Sequence, residues 1–221
     1  IIVMQTAPAV RVSLGEEFNM KPGANVEGKM ITALKMIGAD YVFDTTFGAD
    51  LTVMEEASEL VNRIKTNKNL PMFTSCCPSW VKFCEIFYPE YLDNLSTCKS
   101  PISMMGSVIN NYFCKINNLK REDIISIVIV PCTSKKMEIL RYNDIDLAIT
   151  TRELAKYLKK EKINLAKLKN SSYNSLLGKG SSGGIIFGTS GGVMEATLRE
   201  VYHILYKRYP KSRLLNFKSI R

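Results

Sequence analysis

Two adjacent thiols, Cys76 and Cys77, stand in the stretch Thr74-Ser75-Cys76-Cys77-Pro78-Ser79-Trp80. Neighbouring cysteines rarely bond to each other, because consecutive Cα atoms lie closer than relaxed disulfide geometry requires. Two free thiols side by side suggest one metal ligand and one residue kept for other chemistry. The plain alternative is a pair of small buried hydrophobes. A further cysteine, Cys132, sits in Pro131-Cys132-Thr133-Ser134-Lys135-Lys136-Met137-Glu138. Upstream, Glu56, Glu59 and Arg63 recur at helical spacing. At about 100° per residue they share a narrow arc beside the apolar stripe Val53, Ala57, Leu60, Val61 and Ile64. Carboxylates at such a border either lean into a crevice or form a surface Glu–Arg pair worth about 0.3–0.5 kcal/mol.

Positioning these groups falls to an alternation of strands and helices. Ile1 to Thr6 is a largely apolar run of the kind buried on both faces of a parallel sheet, and Ala7-Pro8-Ala9 breaks it. Val10 to Phe18 reads as loop then helix. Val26 to Ile37 has helical spacing and is closed by Gly38, after which Tyr41 to Phe43 forms the next strand. Leu70 to Phe73 reads as an apolar strand, followed by a helix opened by Pro78. Ser100-Pro101 opens another helix; Ile124 to Val130 and Asp146 to Thr150 are further strands. A helix over Met194 to Tyr209 carries the single histidine, His203, in a structural or exposed role. The pattern predicts an α/β fold of two lobes, about 1–98 and 99–221, with parallel sheets flanked by helices. Both cysteine stretches then follow the carboxyl end of a strand, where such sheets bind ligands.

Composition narrows the class. With 46% hydrophobic and 23% charged residues in 221, the chain has ordinary globular make-up. No apolar run approaches the about 20 residues of a membrane span, and no basic-then-apolar leader is visible. The chain opens on Ile1-Ile2-Val3, as a piece of a longer polypeptide would. Six cysteines without a secreted spacing indicate a reducing compartment. Thirty basic against 21 acidic residues give +9, much of it between Lys156 and Lys169. That block is a solvated helical face or a docking surface for an acidic partner. It lacks the aromatics and motifs of a nucleic-acid binder. Gly178 to Gly183 satisfies G-x-G-x-x-G without the strand that should precede it, so it reads as backbone passing where a Cβ would obstruct. Nothing in the sequence sets an oligomeric state.

Together, Thr74–Trp80 and Pro131–Glu138 closely resemble the first two signature stretches of the [FeFe]-hydrogenases, the iron-only hydrogenases. Gln5–Arg11, Met54–Leu60, Asn94–Pro101 and Phe187–Ala196 also resemble their catalytic domain, so the resemblance runs over nearly the whole chain. It implies ferredoxin hydrogenase activity, the reversible reduction of protons to H2 with electrons from ferredoxin. It implies the H-cluster, a [4Fe-4S] cubane joined through a cysteine sulfur to a diiron unit with CO, cyanide and a bridging amine dithiolate, in the cleft between lobes. Carried over residue by residue, Cys77 and Cys132 become thiolate ligands of the cubane. Cys76 passes protons to the bridging amine, Lys135 donates to one cyanide, and Pro8 and Ala9 face the other. Glu56, Ser96 and Glu59, with Arg63 at the outer end, match the proton path.

Departures from the family pattern matter as well. Val130 stands where methionine is usual, which alters one diiron contact. The last signature, with two more cysteines including the bridging one, is missing, and no cysteine follows Cys132. A cubane takes four thiolates; two are expected here, on a fragment of the domain that does not hold a complete cluster. The alternatives are a non-catalytic iron–sulfur protein related to cytosolic assembly factors, or a hydrogen-sensing homologue. A cytoplasmic or hydrogenosome-like location is expected, not secretion.

Overall fold

Strands form where the chain is apolar and β-branched: β1 (Ile2–Thr6), β2 (Tyr41–Asp44), β3 (Ile125–Val130) and β4 (Leu147–Thr150). All pair in parallel, in the order β2-β1-β3-β4. The structure, a computed structural model, describes residues 1–174, 180–211 and 214. In chain order the helices are α1 (Val10–Ser13), α2 (Glu27–Met36), α3 (Thr46–Thr66), α4 (Pro78–Phe87), α5 (Pro101–Val108) and α6 (Cys114–Ile116). They continue as α7 (Lys135–Tyr142), α8 (Thr151–Lys160), α9 (Ser182–Phe187) and α10 (Gly192–Tyr206).

Alternate residues of the strands feed cores on both faces of the sheet. Met4, Val42, Ile127 and Ile129 pack with Met30 and Leu34 of α2 and with Leu154 and Leu158 of α8. On the opposite face Val3 and Phe43 meet Met105 and Phe113, while Val128 and Val130 meet Ile102 and Ile139. The central strand β1 is buried on both sides and needs a neighbour along each edge. The sheet therefore draws strands from both sides of residue 98, where the sequence places a lobe boundary.

Three local differences from the sequence reading have physical causes. Leu70–Phe73 is no strand: Pro71 removes a donor, Leu70 is exposed, and the segment makes one parallel bridge, Phe73 to Leu95. The helix around Glu56 begins earlier and runs from Thr46 to Thr66. Of its predicted stripe, Val53, Ala57 and Val61 are buried, but Ile64 is exposed. The glycine-rich stretch is helical over Ser182–Phe187, because Ser181 caps Gly183 and Asp50 accepts from the amides of Ser181 and Gly184. A Cβ at Gly180 or Gly184 would lie 2.5 Å from the backbone of Thr46, so these glycines let the stretch rest on the start of α3. Gly178 lies outside the described residues. Likewise a Cβ on Gly48 would fall 2.2 Å from the Pro101 carbonyl oxygen, which places α3 directly on the first turn of α5.

The lysine-rich helix α8 has its apolar face buried and Lys156, Lys159 and Lys160 in solvent, opened by a Thr150–Glu153 capping box. His203 stacks on Tyr209 at 4.6 Å, at the far end of α10.

Candidate metal centre and proton route

In an open parallel sheet, ligands bind outside the carboxyl ends of the two strands between which the strand order reverses. Here those strands are β1 and β3, and a cavity of about 210 Å³ opens there. Pro8 enters from the end of β1, Val130 and Cys132 from the end of β3, and Cys76, Lys135 and Gly184 complete much of the wall. The site thus lies at the switch point of one sheet, where sequence reasoning puts a cleft between lobes. Ala9 is not part of the wall; it is exposed, and its carbonyl accepts from the Ser13 hydroxyl as the chain turns into α1.

Two ties bring the cysteine stretches together. The hydroxyls of Ser79 and Ser134 are 2.5 Å apart, and Lys135 Nζ donates to the Cys76 carbonyl at 2.8 Å. Cys76 and Cys132 are half-buried, whereas Cys77 is exposed at the N-cap of α4, outside the cavity wall. Beyond it a groove of about 690 Å³ runs between α4 and α7, lined by apolar groups such as Pro78, Phe83, Phe87, Met137 and Leu140.

Lys135 also donates to Glu138 Oε2 at 2.6 Å. The other oxygen of this buried carboxylate accepts from Ser103 at 2.9 Å and from Ser100. Ser100 is the N-cap of α5 but spends its hydroxyl on Glu138 in place of capping. An ammonium has three donors, so one remains, among the described contacts, for whatever fills the cavity. Glu138 was given no role by sequence reasoning; its signal was the i,i+3 spacing to Lys135 at a helix start.

The acidic arc of α3 lies outside the cavity wall and meets it through Glu56, which acts electrostatically on Cys76. Arg63 is buried, not a surface residue. It grips Glu59 Oε1 through Nε at 3.0 Å and Nη2 at 2.6 Å, and donates to the carbonyls of Asn69, Asp93, Asn94 and Leu95. Glu59 Oε2 accepts from the Ser96 hydroxyl at 2.8 Å and the Thr97 amide at 3.1 Å. Burial alone would push Glu59 up, but Ser96, Arg63 and the Thr97 amide together hold it below the usual carboxylate range. One turn inward, Glu56 is fully buried. Burial pushes it up to about 7; the Thr197 hydroxyl, the Ser75 backbone and the Ser96 hydroxyl oppose this, and the negative Glu59 adds to it. Cys76 is pushed up to about 11 by burial and by Glu56, with Lys135 pulling the other way, so it is a thiol at neutral pH. The arrangement offers an ionised outer carboxylate, an inner carboxyl near neutrality and a protonated thiol at the cavity, a graded series along which a proton can step.

Cys98 and Thr197 escaped sequence reasoning. Cys98 donates its thiol to Glu59 Oε2 at 3.6 Å and its amide to Ser96 at 3.1 Å, while its carbonyl accepts from Ser75 at 3.0 Å. Burial pushes this thiol up to about 12. Neither position carries a pattern signal, since both act through a fold contact distant in sequence.

As to a metal group, soft thiol donors at Cys77 and Cys132, on loops tied together beside a small apolar cavity, fit iron–sulfur ligation. Among the described residues no group of three or more His, Cys, Asp or Glu is placed to hold a metal ion, and two thiols would make half the donor set of a cubane. The family model for "Iron only hydrogenase large subunit, C-terminal domain" matches residues 1–221. The chain belongs to the iron-only hydrogenase family. It is 49% identical over 205 residues to iron hydrogenase 1 of Clostridium pasteurianum, covering 90% of this chain and 36% of that protein. It is 43% identical over 228 residues to the periplasmic [Fe] hydrogenase large subunit of Nitratidesulfovibrio vulgaris, covering 99% and 54%. Its fold is similar to that of apo [FeFe]-hydrogenase HydA1 from Chlamydomonas reinhardtii, with a TM-score of 0.84 and 38% identity over 95% of this chain and 54% of that one. A bovine cytosolic iron-sulfur assembly component 3 is 30% identical over 93% of this chain and 47% of its own length. The chain therefore spans between about a third and somewhat over half of these family members and relatives. Among the described residues no helix is long and apolar enough to cross a membrane.

Proposed function

We propose that the protein carrying this chain catalyses the reversible reduction of protons to H2, taking electrons from a reduced, acidic, ferredoxin-like carrier. One observation carries the reading: the hydrogen-bonded line from Arg63 through Glu59 and Ser96 toward the buried Glu56, behind a cavity walled by Cys76, Cys132 and Lys135. Cys77 and Cys132 would hold a [4Fe-4S] cluster as thiolates, and Lys135 has a donor left for the anionic ligands of a diiron unit. The H-cluster, when bound, would pass on the carrier's electrons and supply the metal at which hydrogen forms. The chain's part is to move protons. Arg63 keeps Glu59 ionised and fixed, Glu59 and Ser96 take a proton from the outside, and Glu56, near neutrality, passes it toward the Cys76 thiol. Pro8 and Val130 keep the cavity wall apolar. The exposed lysines of α8 suit an acidic electron carrier.

The test uses the full-length protein loaded with cluster. Hydrogen evolution from a reduced carrier is expected, and Cys76→Ser should lower it at least about a hundredfold, the usual span for a lost acid–base group. A silent Cys76→Ser removes the relay assignment. The likeness to the iron-sulfur assembly component favours a second, non-catalytic reading. Loaded protein that binds iron and sulfide yet evolves no hydrogen would decide for it, or for a hydrogen-sensing homologue.

A further inference from the structure

We propose that Thr197 is a positioning residue for Glu56: from α10 its hydroxyl fixes the inner carboxyl of the proton route and keeps it able to release its proton. The inference rests on the reading of Glu56 as a proton carrier. Thr197 is buried and donates through Oγ1 to Glu56 Oε2 at 3.3 Å, across the interface between α10 and α3. Helical threonines commonly return their hydroxyl to the carbonyl four residues back; this one reaches to the neighbouring helix.

The recipient has little else to hold it. Glu56 Oε1 is buried without a hydrogen-bond partner. The Ser75 backbone and the Ser96 hydroxyl also favour its ionised form, each less than Thr197 does. The ionisable groups facing Glu56 are Glu59 on the same helix and the thiols of Cys76 and Cys98 from the adjoining loops. None of these is a cation. On α10, Glu195 and Arg199 pair with one another; Lys99, ahead of α5, pairs with Asp144; and α9, Ser182–Phe187, brings no charge. Among the described residues, the hydroxyl of Thr197 is therefore the strongest of the contacts that favour the ionised form against burial. Without it Glu56 would keep its proton more tightly and feed Cys76 more slowly.

The readout is the carboxyl stretch of Glu56 in pH-difference infrared spectra of the full-length, cluster-loaded protein, assigned by its loss in Glu56→Gln. In Thr197→Val, nearly equal in shape and without the donor, the midpoint should rise by about one pH unit, a tenfold tighter proton or about 1.4 kcal/mol. The pH–rate profile of hydrogen evolution should move the same way, and Thr197→Ser should return both toward the parent. An unmoved midpoint in Thr197→Val overturns the inference, as does a rate lowered equally at every pH, which is the mark of a packing role. If the valine protein fails to fold or load, Thr197→Ala is read by the same criterion. A parent protein that evolves no hydrogen sinks the hydrogenase reading, while the infrared midpoint still decides what Thr197 does to Glu56.

Discussion

The two regions on either side of the cavity's thiols are built on opposite plans. Behind them, α3, α10 and the 94–98 segment form a polar side in which Arg63 alone makes six hydrogen bonds and Glu59 is held by four residues. In front, the cysteine stretches and helices α4 and α7 present Phe83, Phe87, Met137 and Leu140 to solvent, and Cys77 is exposed. Contiguous exposed apolar surface of this kind marks a place where more protein or a ligand sits. The contrast separates the two halves of the chemistry. On the proposed function, the groups that would move a proton are assembled within this chain, whereas those that would hold a metal group are here two thiols, one lysine and an uncovered apolar face.

The contrast can be broken at the joint between the walls. Glu138 is where the front wall borrows the buried chemistry of the rear one, with side-chain exposures of 15% for Lys135 and 5% for Glu138. Glu138→Ala strands a buried ammonium and two hydroxyls, and should lower the unfolding free energy by about 3–5 kcal/mol, read from denaturant midpoints. A cost below about 1 kcal/mol would mean that the front wall is not anchored there.

Acidity sharpens the rear wall. Glu56 keeps its proton up to about 7 against an ordinary 4.5. The folded state binds that proton more tightly than the unfolded chain does, so the contribution is complete below about pH 4.5 and is lost as pH rises through 7. Glu56→Gln, which never ionises, should therefore gain on the parent by about 3 kcal/mol at pH 8 and by almost nothing at pH 4. Melting curves at the two pH values measure it. An advantage confined to acid would mean that Glu56 is held ionised. The smallest effect belongs to the link between cysteine loops: Ser79→Ala removes one exposed hydroxyl pair and should cost no more than about 1 kcal/mol, while loosening the Cys77 loop in hydrogen exchange.

Much of this was legible in the sequence, and the exceptions share a cause. The 3.6-residue period placed Glu56, Glu59 and Arg63 on one arc, and the apolar runs gave β1, β2, β3 and β4. Periodicity reports which face of an element is apolar, not which element lies against it. It therefore left open whether Arg63 sits in a crevice or in a surface pair, because the carbonyls that bury it lie 6 to 32 residues further along the chain. It could not find Thr197, 141 residues from its partner. Leu70–Phe73 misled because a four-residue apolar run with a proline inside is too short to distinguish a strand from an extended loop.

Gly48 has a reach beyond its own contact. Helix α3 is a 21-residue rod with its near end pressed on α5 and Glu56 and Glu59 about two and three turns further on. A single methyl at Gly48 would act as a wedge under one end of a lever. Glu56, Glu59 and Arg63 would be swung out of alignment together, though none of them had been touched.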